Sequence, residues 1–407
     1  MTDQHLADDG PTTREPLVRP PALCTGGEVQ ASRLELFFDL AYVLVVIELG
    51  NAFYADLTWH GLAVVVGLFV AVWVSWVGFT LYANRFDTDD VVFRLAKLAS
   101  TAAIAGCAAA ASDAVGKYAV PFAACFLVGR VLLLLLHLRA WRHVPEGRPT
   151  IQVYLVALAL SSALWAVSLA VPDTTRYVLW AVAVLVDGLG PVLATLREDR
   201  LPLHLEHLPE RFGLLIILVL GEALGGAVRG IHDAGWAPAS VGIGVAGLVV
   251  TAAMWWIYFD VASDTSAHQL ERDDGDADGD GDVDDDAEQP SDARHDMFVY
   301  GHLPMAFGTL IVGVGLEDLV VHRDTGAEWV LAGGLASFLI GIALVVGGTT
   351  RRWSSVWPWP LAFIAVPPLT ALVPLPNAWT FTWSAAAVLI VLAVHGTVVS
   401  RRRAPRS

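Results

Sequence analysis

The chain has 407 residues, 55% of them hydrophobic and 16% charged, with 15 tryptophans and a mean hydropathy of +0.57. Soluble domains carry about 25% charged residues, so the composition excludes an ordinary water-soluble globule and indicates a polytopic, all-α membrane protein. The formal net charge of −16 is concentrated in residues 263–295, which hold 13 Asp and Glu against two Arg.

Residues 1–33 are polar and carry prolines but no apolar core, which predicts a disordered tail and no cleaved signal peptide. Twelve apolar windows follow, near 34–54, 61–83, 93–112, 118–140, 151–171, 176–196, 210–230, 239–261, 297–320, 327–348, 357–375 and 379–399. Each approaches the ~20 residues that cross a bilayer as a helix. A first repeat of six spans is expected over 34–196 and a second over 197–400, with a basic tail at 401–407. The segment 263–295 is an acidic, halophile-like insertion in the second repeat, with too little apolar surface to fold.

Basic residues orient the chain. With the N-terminus inside, the inside segments carry 20 Lys and Arg and the outside loops four, Lys117, Arg176, Arg229 and Arg323. Both termini are therefore expected in the cytoplasm of a cell whose plasma membrane holds the protein. Cys24, Cys107 and Cys125 fit no disulfide framework and no metal spacing.

Two stretches echo one another. Leu34-Glu35-Leu36-Phe37-Phe38-Asp39-Leu40 opens the first span and Pro209-Glu210-Arg211-Phe212-Gly213-Leu214-Leu215 the seventh, 175 residues later. Each has a second glutamate further on, Glu48 and Glu222. Phe86-Asp87 and Phe259-Asp260 repeat at an offset of 173. Carboxylates inside a span are costly and mark pathways or pairing sites, and a duplicated arrangement indicates two halves lining one interior. Glu35 and Asp39 share a helix face. Arg130 and Asp187 fall near mid-membrane, Arg130 being a counter-ion for one of the acids. Glu35, Asp39, Glu48, Arg130, Asp187, Glu210, Arg211 and Glu222 thus form the candidate polar pathway. Gly221-x-x-x-Gly225 and Gly226-x-x-x-Gly230 in span seven allow close helix approach.

Asp87, Asp89 and Asp90, with Asp260 at the matching place in the second half, offer an alternative: carboxylates holding Mg²⁺ on a diphosphate at the cytoplasmic mouth. Against it stands the plainer expectation that these aspartates cap the third helix and pair with Arg85 or Arg94. Asp276-x-Asp278-x-Asp280-Gly281 imitates a calcium loop, but its closing position is Ala287. His204, Glu206, His207 and Glu210 lie in a short loop broken by Pro202 and Pro209, without a recognised metal spacing.

The block Arg33-Leu34-Glu35-Leu36-Phe37-Phe38-Asp39-Leu40 and the block from His207 through Gly221-Glu222 resemble the two signatures of the low temperature requirement protein A family of bacteria and archaea. Asn84-Arg85-Phe86-Asp87 and Trp255-Trp256-Ile257-Tyr258-Phe259-Asp260 are similar to its lesser blocks. The likeness runs in order from about residue 33 to 400. That family frequently has glutamine where Glu48 stands, and the acidic loop is an insertion relative to it. A weaker similarity is to lysosomal and bacterial potassium channels that open with Arg-x-Glu-x-Phe-Ser-Asp. It implies a pore lined by spans one and seven, but Phe38 replaces the serine here and span seven lacks the aspartate.

The expectation is a permease or channel for a solute or small cation that uses intramembrane carboxylates. The alternatives are a membrane-embedded Mg²⁺ enzyme acting on a lipid or diphosphate, and a membrane scaffold. No cofactor and no nucleic acid is expected; the lipid bilayer is the partner, and the oligomeric state is left open.

Overall fold

The computed structural model describes residues 17–24, 32–87, 89–195, 208–263, 291–323, 327–350, 353–356, 358–370, 372 and 377–401. The expected acidic loop between 264 and 290, the calcium-like run and the cluster at His204, Glu206 and His207 lie outside these residues.

Thirteen α-helices follow in order: α1 (Arg33–Ala55), α2 (Trp59–Arg85), α3 (Val91–Ala111), α4 (Ala119–His143), α5 (Arg148–Ser168), α6 (Asp173–Thr195), α7 (Leu208–Asp233), α8 (Pro238–Trp256), α9 (Ser291–Val321), α10 (Ala327–Thr350), α11 (Trp353–Val356), α12 (Pro358–Thr370) and α13 (Asn377–Arg401). A π-helical stretch, Ile257–Ser263, continues α8 and carries Phe259 and Asp260.

Among the described residues, eleven helices are long and apolar enough to cross a membrane. The window expected at 357–375 forms the 13-residue α12 instead. At ~1.5 Å per residue its described turns cover about 20 Å of the ~30 Å hydrocarbon core, and residues 371 and 373–376, which follow it, lie outside the described residues. Pro360, Pro367 and Pro368 remove backbone donors along it and limit its extension. The long helices expose large apolar side chains, among them Leu95, Leu135, Val156, Leu185, Leu193, Val228 and Val391, as a lipid-facing surface requires.

The same order of neighbours appears twice. α1 packs on α2 and α3, α3 on α4, α4 on α5, α5 on α6, and α6 returns to α2. In the second half α7 packs on α8 and α9, α9 on α10, α10 on α12, α12 on α13, and α13 returns to α8. Across the seam α1 meets α7 and α9, and α2 meets α9. Glycine sets the closest approach within the second half: a Cβ on Gly226 of α7 would lie 2.3 Å from the carbonyl oxygen of Gly313 on α9. Gly221, by contrast, has nothing within 4 Å, so packing falls to Gly226 and Gly230.

The expected loose tail differs in one part. Ala22–Leu23 pairs antiparallel with Phe86–Asp87, and Val91 N–H donates to the Leu17 carbonyl at 3.1 Å. Residues 17–24 therefore lie as a strap across the ends of α2, α3 and α4, because the short Phe86–Asp87 extension after α2 leaves an edge to pair with. We call this end of the bundle, where α1 begins, the proximal face.

Candidate functional site

Buried charge collects in three places. The first is the proximal part of the α1–α7 seam. Ser32 caps α1: its hydroxyl accepts from Glu35 N–H at 3.2 Å, while Glu35 Oε2 accepts from Ser32 N–H at 3.0 Å. That box fixes Glu35, whose Oε1 is 2.6 Å from Arg211 Nη1 on α7. Four residues along, Asp39 is 0% exposed. Its Oδ1 accepts from Arg211 Nη2 at 3.1 Å and from Trp76 Nε1 of α2 at 2.8 Å. Trp76 also meets Phe212 edge-on, ring centroids 5.0 Å apart. One guanidinium thus joins the halves through two carboxylates.

Lys97 of α3 completes this cluster. It is 0% exposed, and its ammonium sits 3.7 Å from the centre of the Phe38 ring, with Phe79 and Phe93 further out. A cation over a ring face is attracted by the ring's negative quadrupole, yet among the described residues neither Lys97 Nζ nor Asp39 Oδ2 has a hydrogen-bond partner. Lys97 counts among the inside basic residues of the sequence; the structure buries it within the bundle near Arg211, a residue of the candidate pathway. Lys97 is one of only two lysines in the chain, and its position six residues inside an apolar run was the available signal.

The second place is near mid-span in the first half. Arg130 of α4 faces Asp187 of α6 at 3.3 Å. Its Nη2 donates to Ser75 Oγ at 2.7 Å, and Ser161 donates to Asp187 Oδ2 at 2.7 Å. Tyr42 of α1 and Ser75 share a hydrogen bond of 2.9 Å, so this network reaches α1 one turn beyond Asp39.

The third place lies toward the opposite, distal face. Arg229 Nη2 lies 2.6 Å from Glu222 Oε1 on its own helix and 2.7 Å from Glu317 Oε2 on α9. Asp318 pairs with His322 at 2.8 Å. Glu48 is half-buried and has no ion pair or hydrogen bond with a described residue. Glu48 and Glu222 therefore do not share a counter-ion, and Arg229, assigned above to an outside loop, neutralises Glu222. Glu210 is exposed; its neighbour Arg211 carries the seam contact.

Two aspartates of the proximal mouth, Asp89 and Asp90, are bound by arginines. Asp90 caps α3 through Phe93 N–H at 3.0 Å and takes both Arg139 nitrogens, at 3.0 and 2.6 Å. Burial would raise the Asp90 carboxyl, but the bonds from Arg139, Phe93 and Arg19 hold it below the usual aspartate value. Asp89 is held low by its two bonds to Arg94, each 2.8 Å. Arg85 turns to Tyr154 instead, donating to its hydroxyl at 2.8 Å. The Asp87 side chain lies outside the described residues, and Asp260 is half-buried in the π-helical turn. Among the described residues no three His, Cys, Asp or Glu side chains form a metal-binding group. Asp89 and Asp90 each pair with an arginine, Arg94 and Arg139.

Two histidines within the spans, His302 and His137, are buried. His302 is fully buried, bonded to the Phe298 carbonyl at 2.6 Å and to Tyr258 OH at 3.0 Å, and His137 bonds the Leu133 carbonyl at 3.0 Å.

The model of the bacterial low temperature requirement A protein matches residues 30–394. An uncharacterised protein of Rhizobium meliloti (strain 1021) is 27% identical over 306 residues, covering 72% of this chain and 71% of its own length. No solved structure matches. Extent and order of the match agree with the helical bundle just described: this multi-pass membrane protein belongs to the bacterial low temperature requirement A protein family.

Proposed function

We propose that the protein is a permease or channel for a solute or small cation, with its polar route along the seam of two six-helix repeats. The observation that carries this reading is the cluster of Glu35, Asp39, Arg211 and Lys97. Two carboxylates and two cations gather between α1, α3 and α7, all but Glu35 buried, and an amine and a carboxylate oxygen have no hydrogen-bond partner among the described residues. Buried ionisable groups inside spans mark ion and substrate paths more often than they serve packing alone. Arg211 ties the two halves together on the proximal side of the seam. The distal acids, Glu222 and Glu317 on the shared Arg229, with Glu48 on α1, would attract a cation at the other end. The repeated neighbour order of the helices, with the matching Phe-Asp pairs, supports descent of the halves from one six-helix unit. The excess of basic residues on one side supports a plasma-membrane orientation with both termini in the cytoplasm.

The test is flux of K⁺, Na⁺ and H⁺ into liposomes holding the purified protein, with Asp39→Asn, Glu48→Gln and Glu222→Gln in parallel. A pathway predicts flux that Asp39→Asn abolishes. Flux untouched by all three substitutions rules out the carboxylate route.

A further inference from the structure

The corner where α4 turns into α5 at the proximal face carries charge that none of the three buried clusters uses. Along α4, Val128, Val131 and Leu135 are exposed on one face. At about 100° per residue Arg142, also exposed, falls within the same arc two turns beyond Leu135. Along α5, exposed Gln152 and Val156 follow exposed Arg148 on one side of the helix at intervals of about one turn. α4 and α5 pack on each other, so two lipid-facing stripes run side by side and each ends in an arginine.

The two arginines are held differently. Arg148 is fixed: its Nε donates to the Trp141 carbonyl at 3.1 Å, and its guanidinium lies 5.1 Å from the centre of the Trp141 ring. That bond sets the guanidinium against the backbone one residue from Arg142. Arg142 itself has no hydrogen bond or ion pair with a described residue. Arg139 nearby is occupied by Asp90. Glu146, the one acid between 139 and 148, is exposed and pairs with neither Arg142 nor Arg148.

Arginines that only orient a span need no fixed geometry. Ordering one over an indole gives up side-chain freedom, and tryptophan favours the headgroup depth of a bilayer. Leu135 is seven residues from Arg142 and Val156 eight from Arg148. At ~1.5 Å per residue both therefore lie about 10–12 Å deeper in the membrane. A fitting ligand has negative oxygens at the level of the arginines and an apolar chain running inward, which is the chemistry of a phospholipid phosphodiester. A soluble anion would meet the arginines alone. A zwitterionic headgroup would bring its own cation beside two guanidinium groups, whereas a net negative one is attracted by both.

We propose that the α4–α5 corner binds an anionic phospholipid of the proximal leaflet, its phosphate shared by Arg142 and Arg148 and an acyl chain lying along Leu135 and Val156. The inference goes beyond the permease reading and requires only that α4 and α5 span the bilayer.

Native mass spectrometry of the full chain, released from detergent after addition of dioleoyl phosphatidylglycerol or dioleoyl phosphatidylethanolamine, tests the corner. Phosphatidylglycerol should be retained at concentrations where phosphatidylethanolamine is not, and excess glycerol phosphate should not displace it. Arg142→Gln and Arg148→Gln should each weaken retention roughly fivefold and together roughly thirtyfold. Arg142→Gln removes no contact among the described residues, so its melting temperature in lipid-free detergent should match the wild type. Arg94→Gln takes the same charge from the same face, at a guanidinium already paired with Asp89, and should leave retention unchanged. Equal retention of the two lipids, displacement by glycerol phosphate, wild-type retention in the double variant, or an equal loss in Arg94→Gln would each overturn the proposal. Liposome flux bears on none of these results, so the lipid site and the permease fail separately.

Discussion

Arg211→Gln would show how far charge holds the two halves together. In the native seam Nη1 lies 2.6 Å from Glu35 and Nη2 lies 3.1 Å from Asp39. Asp39 is closed off completely, and the Glu35 side chain retains 15% exposure. Glutamine leaves two carboxylates one helical turn apart on the same face, with Trp76 Nε1 still donating to Asp39. Removing one partner of a fully buried pair costs roughly 3–5 kcal/mol, whereas polar contacts between membrane helices average nearer ~0.6 kcal/mol. Partial exposure of Glu35 and competition from the bilayer place Arg211→Gln at about 2–3 kcal/mol. Asp39→Asn retains an acceptor for Trp76 and lowers the carboxylate repulsion, so it should cost about 1–2 kcal/mol. The double variant should cost less than the sum of the two by about 1–2 kcal/mol, because neither single partner is left stranded. Reversible unfolding in mixed micelles, followed by far-UV circular dichroism, measures all three. Additivity within ~0.5 kcal/mol would refute a coupled clasp.

Other expectations follow from the same coordinates. Asp90→Ala removes a helix cap and both Arg139 contacts, so it should lower stability by at least ~1 kcal/mol and speed proteolytic cutting near residues 17–24, which Asp90 anchors through Arg19 N–H at 3.2 Å. Asp89 and Asp90 both titrate below their usual value of 3.8 in the folded chain. The stability they add is therefore present above about pH 4 and lost as pH falls through their folded values; strap cleavage measured from pH 6 to pH 3 should rise only at the acid end. Gly226→Leu drives a side chain into the Gly313 carbonyl and should destabilise the fold by about 1–3 kcal/mol or more, whereas Gly221→Ala, with open space around it, should melt like the wild type.

Much of the architecture was visible in hydropathy, because ~20-residue apolar runs have few other solutions. The length of the α12 helix was not, since its apolar window at 357–375 matches a span while the described helix covers Pro358–Thr370. The N-terminal strap was hidden because two residues of strand carry no periodic signal. In the site, the acids and Arg130 stood out as charges in apolar runs. Their pairing did not, because Asp39 and Arg211 are 172 residues apart. Lys97 and Arg229 were obscured by their nearness to span ends, where basic residues ordinarily serve orientation. Trp76, Ser75 and Ser161 act by holding charges in place, and nothing in a tryptophan or serine codon-by-codon distinguishes that role from packing.

The most direct test of the permease is dye-detected flux of K⁺, Na⁺ and H⁺ in liposomes holding folded protein. The account predicts flux above empty liposomes that Asp39→Asn abolishes. No flux above empty liposomes, or flux that persists unchanged in Asp39→Asn, would contradict it.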